Sequence, residues 1–158
     1  MPVPASDQTA HLYIWDNRVL YVGPGSEARH RCYGSAALVI SLGGNLQIYR
    51  EGHPQDTVTT RCCVTRPGLP VQLGSDGDHL LVLFLDPFLH DLKVLDEHAA
   101  RHIHGIAWAL DIEEPLVAVA RQVVSSSPPP ASVLSLFARL GLNPGSRLDP
   151  AGVDPRVA

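Results

Sequence analysis

His30 and Cys32 are the two side chains of this 158-residue chain best placed, by type and spacing, to do chemistry. Two positions apart on a strand, they project from one face, and an imidazole with a thiolate is a donor pair for zinc, iron or nickel. The same pair can line a pocket for an organic ligand or sit in a core with ordinary hydrogen bonds; the sequence leaves these three uses open. A catalytic ion needs about three protein ligands, so a third would have to come from an off-pattern residue such as Cys63 or His79. His98 and His102 are spaced i, i+4, which suits zinc on a helix, but the Glu that a zinc protease carries directly after the first His is missing. A solvated polar face is the expectation there. The chain also has no Gly-x-Ser-x-Gly elbow, no phosphate-cradling Gly-Lys-Ser/Thr loop and no dinucleotide fingerprint after a strand.

Three cysteines are an odd number in a chain with no secretion signal, so free thiols are expected. Adjacent Cys62 and Cys63 have Cα atoms about 3.8 Å apart, too close for an unstrained bridge. On a strand they face opposite sides. A thiol or thiol-metal sensor would need an exposed, electropositive setting, whereas packing is the ordinary fate of a free cysteine.

These residues have to be positioned by strands. Residues 25–43 read as a strand carrying His30 and Cys32, a turn at Tyr33-Gly34-Ser35, and an apolar strand over 36–42 that ends at Gly43-Gly44-Asn45. Before them come strands over 11–15 and 18–22 about an Asp16-Asn17 turn. After them come an alternating strand over 46–50, β-rich segments over 57–60 and 62–65, a proline turn over 66–71, and a last strand over 80–85 closed by Asp86-Pro87. Eight or nine short strands with no helical period among them predict a sandwich or barrel.

Beyond residue 90 the pattern changes to a helical period. Residues 91–105 are His-rich and weakly helical, and a helix starts at Glu113-Glu114-Pro115. Its apolar stripe is Leu116, Val119, Ala120, Val123 and Val124. A Ser/Pro linker leads to a second helix with Val133, Leu136, Phe137 and Leu140 on one face, stopped by Gly141. The two form an antiparallel hairpin. The expected organisation is an N-terminal arm over 1–10, a barrel over 11–87, a helical segment over 88–141 and a linker over 142–158.

A net charge of −4 with 12 scattered basic residues lacks the footprint of a nucleic-acid-binding surface. No apolar run approaches the roughly 18–20 residues that span a bilayer, and the start of the chain is not a signal peptide. A cytoplasmic protein with no membrane partner is expected. The 45% of hydrophobic residues suffice for one real core.

The spacing of Gly25, His30-x-Cys32, Ala36 and Gly43 resembles the first cupin motif, Gly, His-x-His, Glu, Gly. Arg66-Pro67-Gly68-Leu69-Pro70-Val71 resembles the second, in which a Pro-Gly turn precedes a further His. The barrel, the helical hairpin and the closing Asp154-Pro-Arg-Val-Ala158 are together similar to the N-terminal sensor and dimerisation half of AraC-type transcriptional regulators. The resemblance implies a mainly β, cupin-like double-stranded β-helix (jelly roll) followed by a helical hairpin. Position by position, His30 matches the first metal ligand, while Cys32, Ala36 and Val71 stand where the other three ligands would be. That substitution pattern implies no metal cofactor and no catalytic residues, with His30 and Cys32 the nearest to metal ligands. A small-molecule effector would instead contact His30, Cys32, Ala36, Leu38, Ile40 and Val71. The resemblance also tips the helical stripes, which could equally pack on the barrel, toward a homodimer paired through Leu116, Val119, Val123, Val133, Leu136, Phe137 and Leu140. DNA would be contacted only by a domain outside this chain. The competing readings are a small metal-dependent cupin enzyme, a dioxygenase or isomerase, and a stand-alone adaptor.

Overall fold

The computed structural model describes residues 10–15, 18–85 and 90–142. The expected arm (but for Ala10), the Asp16-Asn17 turn, the Asp86-Pro87 stop and the linker (but for Leu142) lie outside the described residues. Eleven strands are described: β1 (His11–Trp15), β2 (Arg18–Pro24), β3 (Arg29–Cys32), β4 (Ala36–Leu42), β5 (Leu46–Arg50), β6 (Val58–Thr60), β7 (Cys62–Thr65), β8 (Pro70–Ser75), β9 (His79–Leu85), β10 (Ala99–Ile103) and β11 (Ile106–Leu110). Three helices accompany them: α1 (His90–His98), α2 (Glu113–Ser126) and α3 (Pro130–Ala138).

The strands form an antiparallel seven-stranded sheet, β1-β2-β9-β4-β7-β11-β10, and a four-stranded sheet, β3-β8-β5-β6. From β2 to β9 the chain changes sheet at every connection except β5 to β6. Eight strands thereby form two facing quartets, β2-β9-β4-β7 and β3-β8-β5-β6, the order of a jelly roll. The expected mainly β, cupin-like barrel followed by helices is therefore what the chain adopts. β1 extends one edge of the larger sheet, and the β10-β11 hairpin extends the other.

β4 lies at the centre of the larger sheet, paired with β9 and β7, and all seven of its residues are buried. Its almost wholly apolar composition, interrupted only by Ser41, follows from having both faces covered. Leu38 and Ile40 point, with Leu81, Leu83 and Cys62, into a core shared with α2 and α3. Ala37 and Val39 point the other way, with Cys63 of neighbouring β7, into a core shared with Leu46, Ile48, Val71 and Leu73 of the facing strands. A buried contact of 2.6 Å between the Ser41 and Ser75 hydroxyls links the two sheets.

The helices cover the outer face of the larger sheet. Glu113 and Glu114 occupy the positive end of α2, and both are held by Arg61, with Nη2 to Glu113 Oε2 at 3.1 Å. At α1 the fully buried Arg18, on the helix side of β2, pairs with the fully buried Asp91 in the first turn. Trp15 Nε1 donates to the Pro130 carbonyl at 3.3 Å, tying β1 to the start of α3.

Two expectations are corrected here. Residues 91–105 are not one helix, and the sheet does not end at residue 85: α1 stops at His98, and β10 and β11 rejoin the larger sheet through pairing of β11 with β7. β10 is a polar edge strand with Ala100, Arg101 and His102 exposed, so its local sequence carries no buried alternation, and pairing with β11 decides its conformation. The helical stripes are also spoken for. Leu116, Val119, Val123, Val133, Leu136 and Phe137 are buried in the core of their own chain, with Val124 and Leu140 partly buried against it. Leu140 lies past the end of α3. The packing alternative is the one realised, and these side chains are not a free pairing surface.

Candidate functional site

Cross-strand register decides where the His30 pair points. In the β3-β8 ladder, Arg29 is opposite Leu73 and Arg31 opposite Val71, whereas His30 faces Gln72 and Cys32 faces Pro70. Directly opposed residues share a face, and Val71 and Leu73 belong to the core between the sheets. The inward side chains of β3 are therefore those of Arg29 and Arg31, and His30 and Cys32 point outward. Outside the barrel, His30 Nδ1 lies 2.6 Å from Glu51 Oε1, which also accepts a hydrogen bond from Gln72 Nε2 at 2.8 Å. The hydrogen bond from His30, with that from Gln72, holds the Glu51 carboxyl below its ordinary range.

The six residues expected to line an effector site thus divide among three places. His30 and Cys32 lie on the outer surface, Ala36, Leu38 and Ile40 under the helices, and only Val71 between the sheets. A shift of one residue in the assumed phase exchanges the faces of a strand, and that is the error. The same geometry answers the metal question for the family's ligand positions. His30, Cys32, Ala36 and Val71 converge on no common point, so these positions do not fit the cupin metal. Cys63 is fully buried in the inner core, and burial pushes its thiol up to about 12. The Cys62 thiol is also raised by burial, with Glu113 adding to the effect. Both are poor thiolates, contrary to what a thiol sensor needs. His98 and His102 stand on different elements: His98 Nδ1 is 2.6 Å from Asp111 Oδ1, and His102 lies on β10.

What the structure brings together instead is a cleft of about 650 Å³ between the β3 edge and the inner face of β2 and β9. β2 and β3 belong to different sheets and do not pair, which leaves this seam open. Leu80, Val82 and Phe84 line it from β9, Tyr21 from β2, and Arg29, Arg31 and Tyr33 from the β3 side, with Glu27 on the connecting loop. Gly25 lets that loop close in: a Cβ there would fall 1.9 Å from the Gly77 carbonyl oxygen, while its N–H donates to the Asp78 carbonyl at 3.2 Å.

Tyr33 meets Phe84 edge to face at 5.1 Å. Burial raises the Tyr33 phenol above its usual range, and the neighbouring Arg31 opposes that shift, so the phenol is a neutral hydrogen-bonding group. Among the described residues, no carboxylate pairs with either Arg29 or Arg31. Two guanidiniums beside aromatic and aliphatic walls suit a molecule with an apolar body and an anionic group. Arg29 and Arg31 are not evident from the sequence because the metal-capable His30 and Cys32 alternate with them on the same strand. The signal available was the alternation of Arg29, Arg31 and Tyr33 with His30 and Cys32.

No protein-family model matches the chain, and no curated protein does. Solved structures with some likeness include a protein from Neisseria meningitidis at 11% identity, covering 49% of this chain and 84% of that one with a TM-score of 0.42. A cupin superfamily protein from Desulfitobacterium hafniense has 10% identity, 54% and 84% coverage and a TM-score of 0.42. An oxalate decarboxylase from Lactobacillus farciminis has 11% identity, covers 81% of this chain and 42% of that one, and has a TM-score of 0.32. Likenesses this distant carry no function across. The strand order itself makes the chain a cupin-like jelly roll with C-terminal helices.

Proposed function

We propose that this chain is a non-catalytic effector-binding domain, the sensor half of an AraC-type regulator, and that its ligand is a small organic anion held in the Arg29–Arg31 cleft. The observation that carries the reading is the pair of arginines on the inner phase of β3, facing a cleft of mixed lining in which Leu80, Val82 and Phe84 form an apolar wall. Glu27 also borders it, but among the described residues no carboxylate forms an ion pair with either arginine. The sequence resemblance supplies the regulatory part of the reading, including pairing of two copies and DNA contact through a separate domain. An effector acts on such a regulator only by binding one of its arrangements better than another. The cleft is suited to this because it is bounded by strands of both sheets.

Anilinonaphthalene sulfonate, an aromatic anion, is a direct probe. Saturable one-to-one fluorescence enhancement is expected, weakening about ten- to a hundredfold in Arg31→Ala, as loss of a charge-assisted hydrogen bond predicts. An Arg31→Ala variant with an unchanged near-ultraviolet spectrum that binds the dye as well as the parent would sink the proposal. For the metal-enzyme alternative, elemental analysis of protein purified without chelators is decisive: stoichiometric metal lost on mutating His30 would favour it.

A further inference from the structure

We propose that His53, Asp56 and His104 form a site for a divalent transition-metal ion that clasps the two sheets together at one end of the barrel. One ligand atom from each residue lies within 4.8 Å of the other two, and all three residues are half-buried. His104 Nε2 is already 2.8 Å from Asp56 Oδ2, and the His53 and His104 rings stack with centroids 4.0 Å apart and planes 22° apart. Because an imidazole lone pair lies in the plane of its ring, the two stacked rings would have to swing apart to aim both nitrogens at one ion. In a tetrahedral zinc site, bonds of about 2.0–2.1 Å place donors roughly 3.3 Å apart. The hydrogen-bonded pair would open by about half an ångström and the remaining donors would draw in, a movement that partly exposed imidazoles make by side-chain rotation.

The backbone prepares these three groups from opposite sides. Pro54–Asp56 form one turn of 3-10 helix with His53 as its N-cap, and the Asp56 N–H donates to the His53 carbonyl at 3.0 Å. With three residues per turn, side chains at i and i+3 eclipse one another, so His53 and Asp56 project together. Thr57 Oγ1 donates to the Pro54 carbonyl at 2.7 Å and stiffens the turn. The third ligand comes from the tip of the β10-β11 hairpin. Ile103 pairs with Ile106, and the two residues between them, His104 and Gly105, have φ of 50° and 89°. Positive φ at both central positions is the type I′ hairpin, in which Asn-Gly and Asp-Gly are favoured. A non-glycine residue in the left-handed region is uncommon; here the side chain of His104 is the one that reaches the cluster.

Two imidazoles and one carboxylate favour zinc, nickel, cobalt or copper over magnesium or calcium. With three protein ligands, the ion would keep at least one position open to water. Its binding would replace the proton shared between His104 and Asp56. Because His53 and Asp56 lie between β5 and β6 of the smaller sheet, and His104 belongs to the larger one, the ion would join layers that at this end meet through side chains. None of these residues lies in the arginine cleft, so the site stands or fails independently of the proposed effector.

Calorimetric titration of the metal-free chain with zinc chloride tests this. One ion per chain is expected, with affinity at least about tenfold weaker in His104→Asn and in His53→Gln, each of which removes one ligand. Asn suits the type I′ turn, so the first variant keeps its fold. Cys32→Ser should bind zinc like the parent, and cobalt substitution should show no thiolate charge-transfer band. Zinc at a hundredfold excess over its dissociation constant should raise the melting midpoint by roughly 5–10 °C in the parent but not in His104→Asn. Absence of zinc uptake, equal uptake by His104→Asn, or loss of uptake in Cys32→Ser would each overturn the proposal.

Discussion

The two faces of the seven-stranded sheet are built from alternate residues of the same strands, yet they have opposite characters. On the outer face, Leu38, Ile40, Leu81 and Leu83 meet helix side chains, and the buried Arg18–Asp91 pair pins α1 beside them. On the inner face, Val39 and Val82 meet the smaller sheet, but toward β2 that sheet falls away and Tyr21 and Phe84 border a cleft with two arginines. The outer face is closed by three helices; the inner face is closed only where the second sheet reaches it. One alternation therefore serves two purposes, cohesion on one side and recognition on the other, and substitutions should sort by parity.

The sharpest break would come from the closed face. Asp91→Ala leaves the Arg18 guanidinium buried beside a missing carboxylate, and loss of a buried partner costs about 3–5 kcal/mol. Urea unfolding should show it as a lower midpoint; a change below about 1 kcal/mol would mean that the pair does not anchor α1. One strand can then be turned against itself. Leu38→Ala should cost about 2–5 kcal/mol and leave dye affinity unchanged, whereas Arg31→Ala should leave stability within about 0.5 kcal/mol and weaken the dye. If both variants lose both properties, the separation of the faces is wrong.

Thiol chemistry draws the same contrast on a finer scale. Exposed Cys32 should react with a disulfide reagent at once, and Cys62 and Cys63 only on unfolding, because burial raises both of their thiols. More than one fast thiol per native chain would contradict the burial. The sign of the pH effect follows: a thiol that is raised in the folded state favours folding below its unfolded value, about 8.5, and that contribution is lost as pH rises toward the folded one. The smallest effect belongs to the outer surface of β3. His30→Ala should lower the urea midpoint only slightly at neutral pH, where the depressed Glu51 carboxyl contributes its stabilisation, and should weaken the loss of stability as pH falls, with Gln72 still holding Glu51. A large destabilisation would return His30 to the interior.

The barrel was legible because its signals are local. The almost wholly apolar 36–42 run and the Gly43-Gly44-Asn45 turn each state their conformation within a few residues, whereas the strand at 70–75 was hidden by the prolines that made 66–71 read as a turn. The stripes of α2 and α3 were legible as stripes, but a periodic apolar face does not say whether it packs on its own chain or on another. The β10-β11 hairpin was hidden because Ala99-Ala100-Arg101-His102 contains nothing that opposes a helix, and its turn uses His-Gly where Asn-Gly would have announced it. The site was missed by one residue of phase. Phase on a short, half-exposed strand such as β3 is decided by its partner β8, and the alternation in Arg29–Cys32 marks two faces without saying which of them turns inward. The His53, Asp56 and His104 cluster joins positions about fifty residues apart, a proximity created by the fold.

The chain's two tryptophans extend the contrast between faces into optics. Trp15, stacked on Tyr13 with ring centroids 6.0 Å apart, lies against the helix-side core and is hydrogen-bonded to the start of α3. Trp108 lies on the strand that follows the His104 turn, packed against the core between the sheets. Each indole therefore emits from a different layer. Two single-tryptophan variants would turn intrinsic fluorescence into separate channels, one following detachment of the helical hairpin and the other following separation of the sheets.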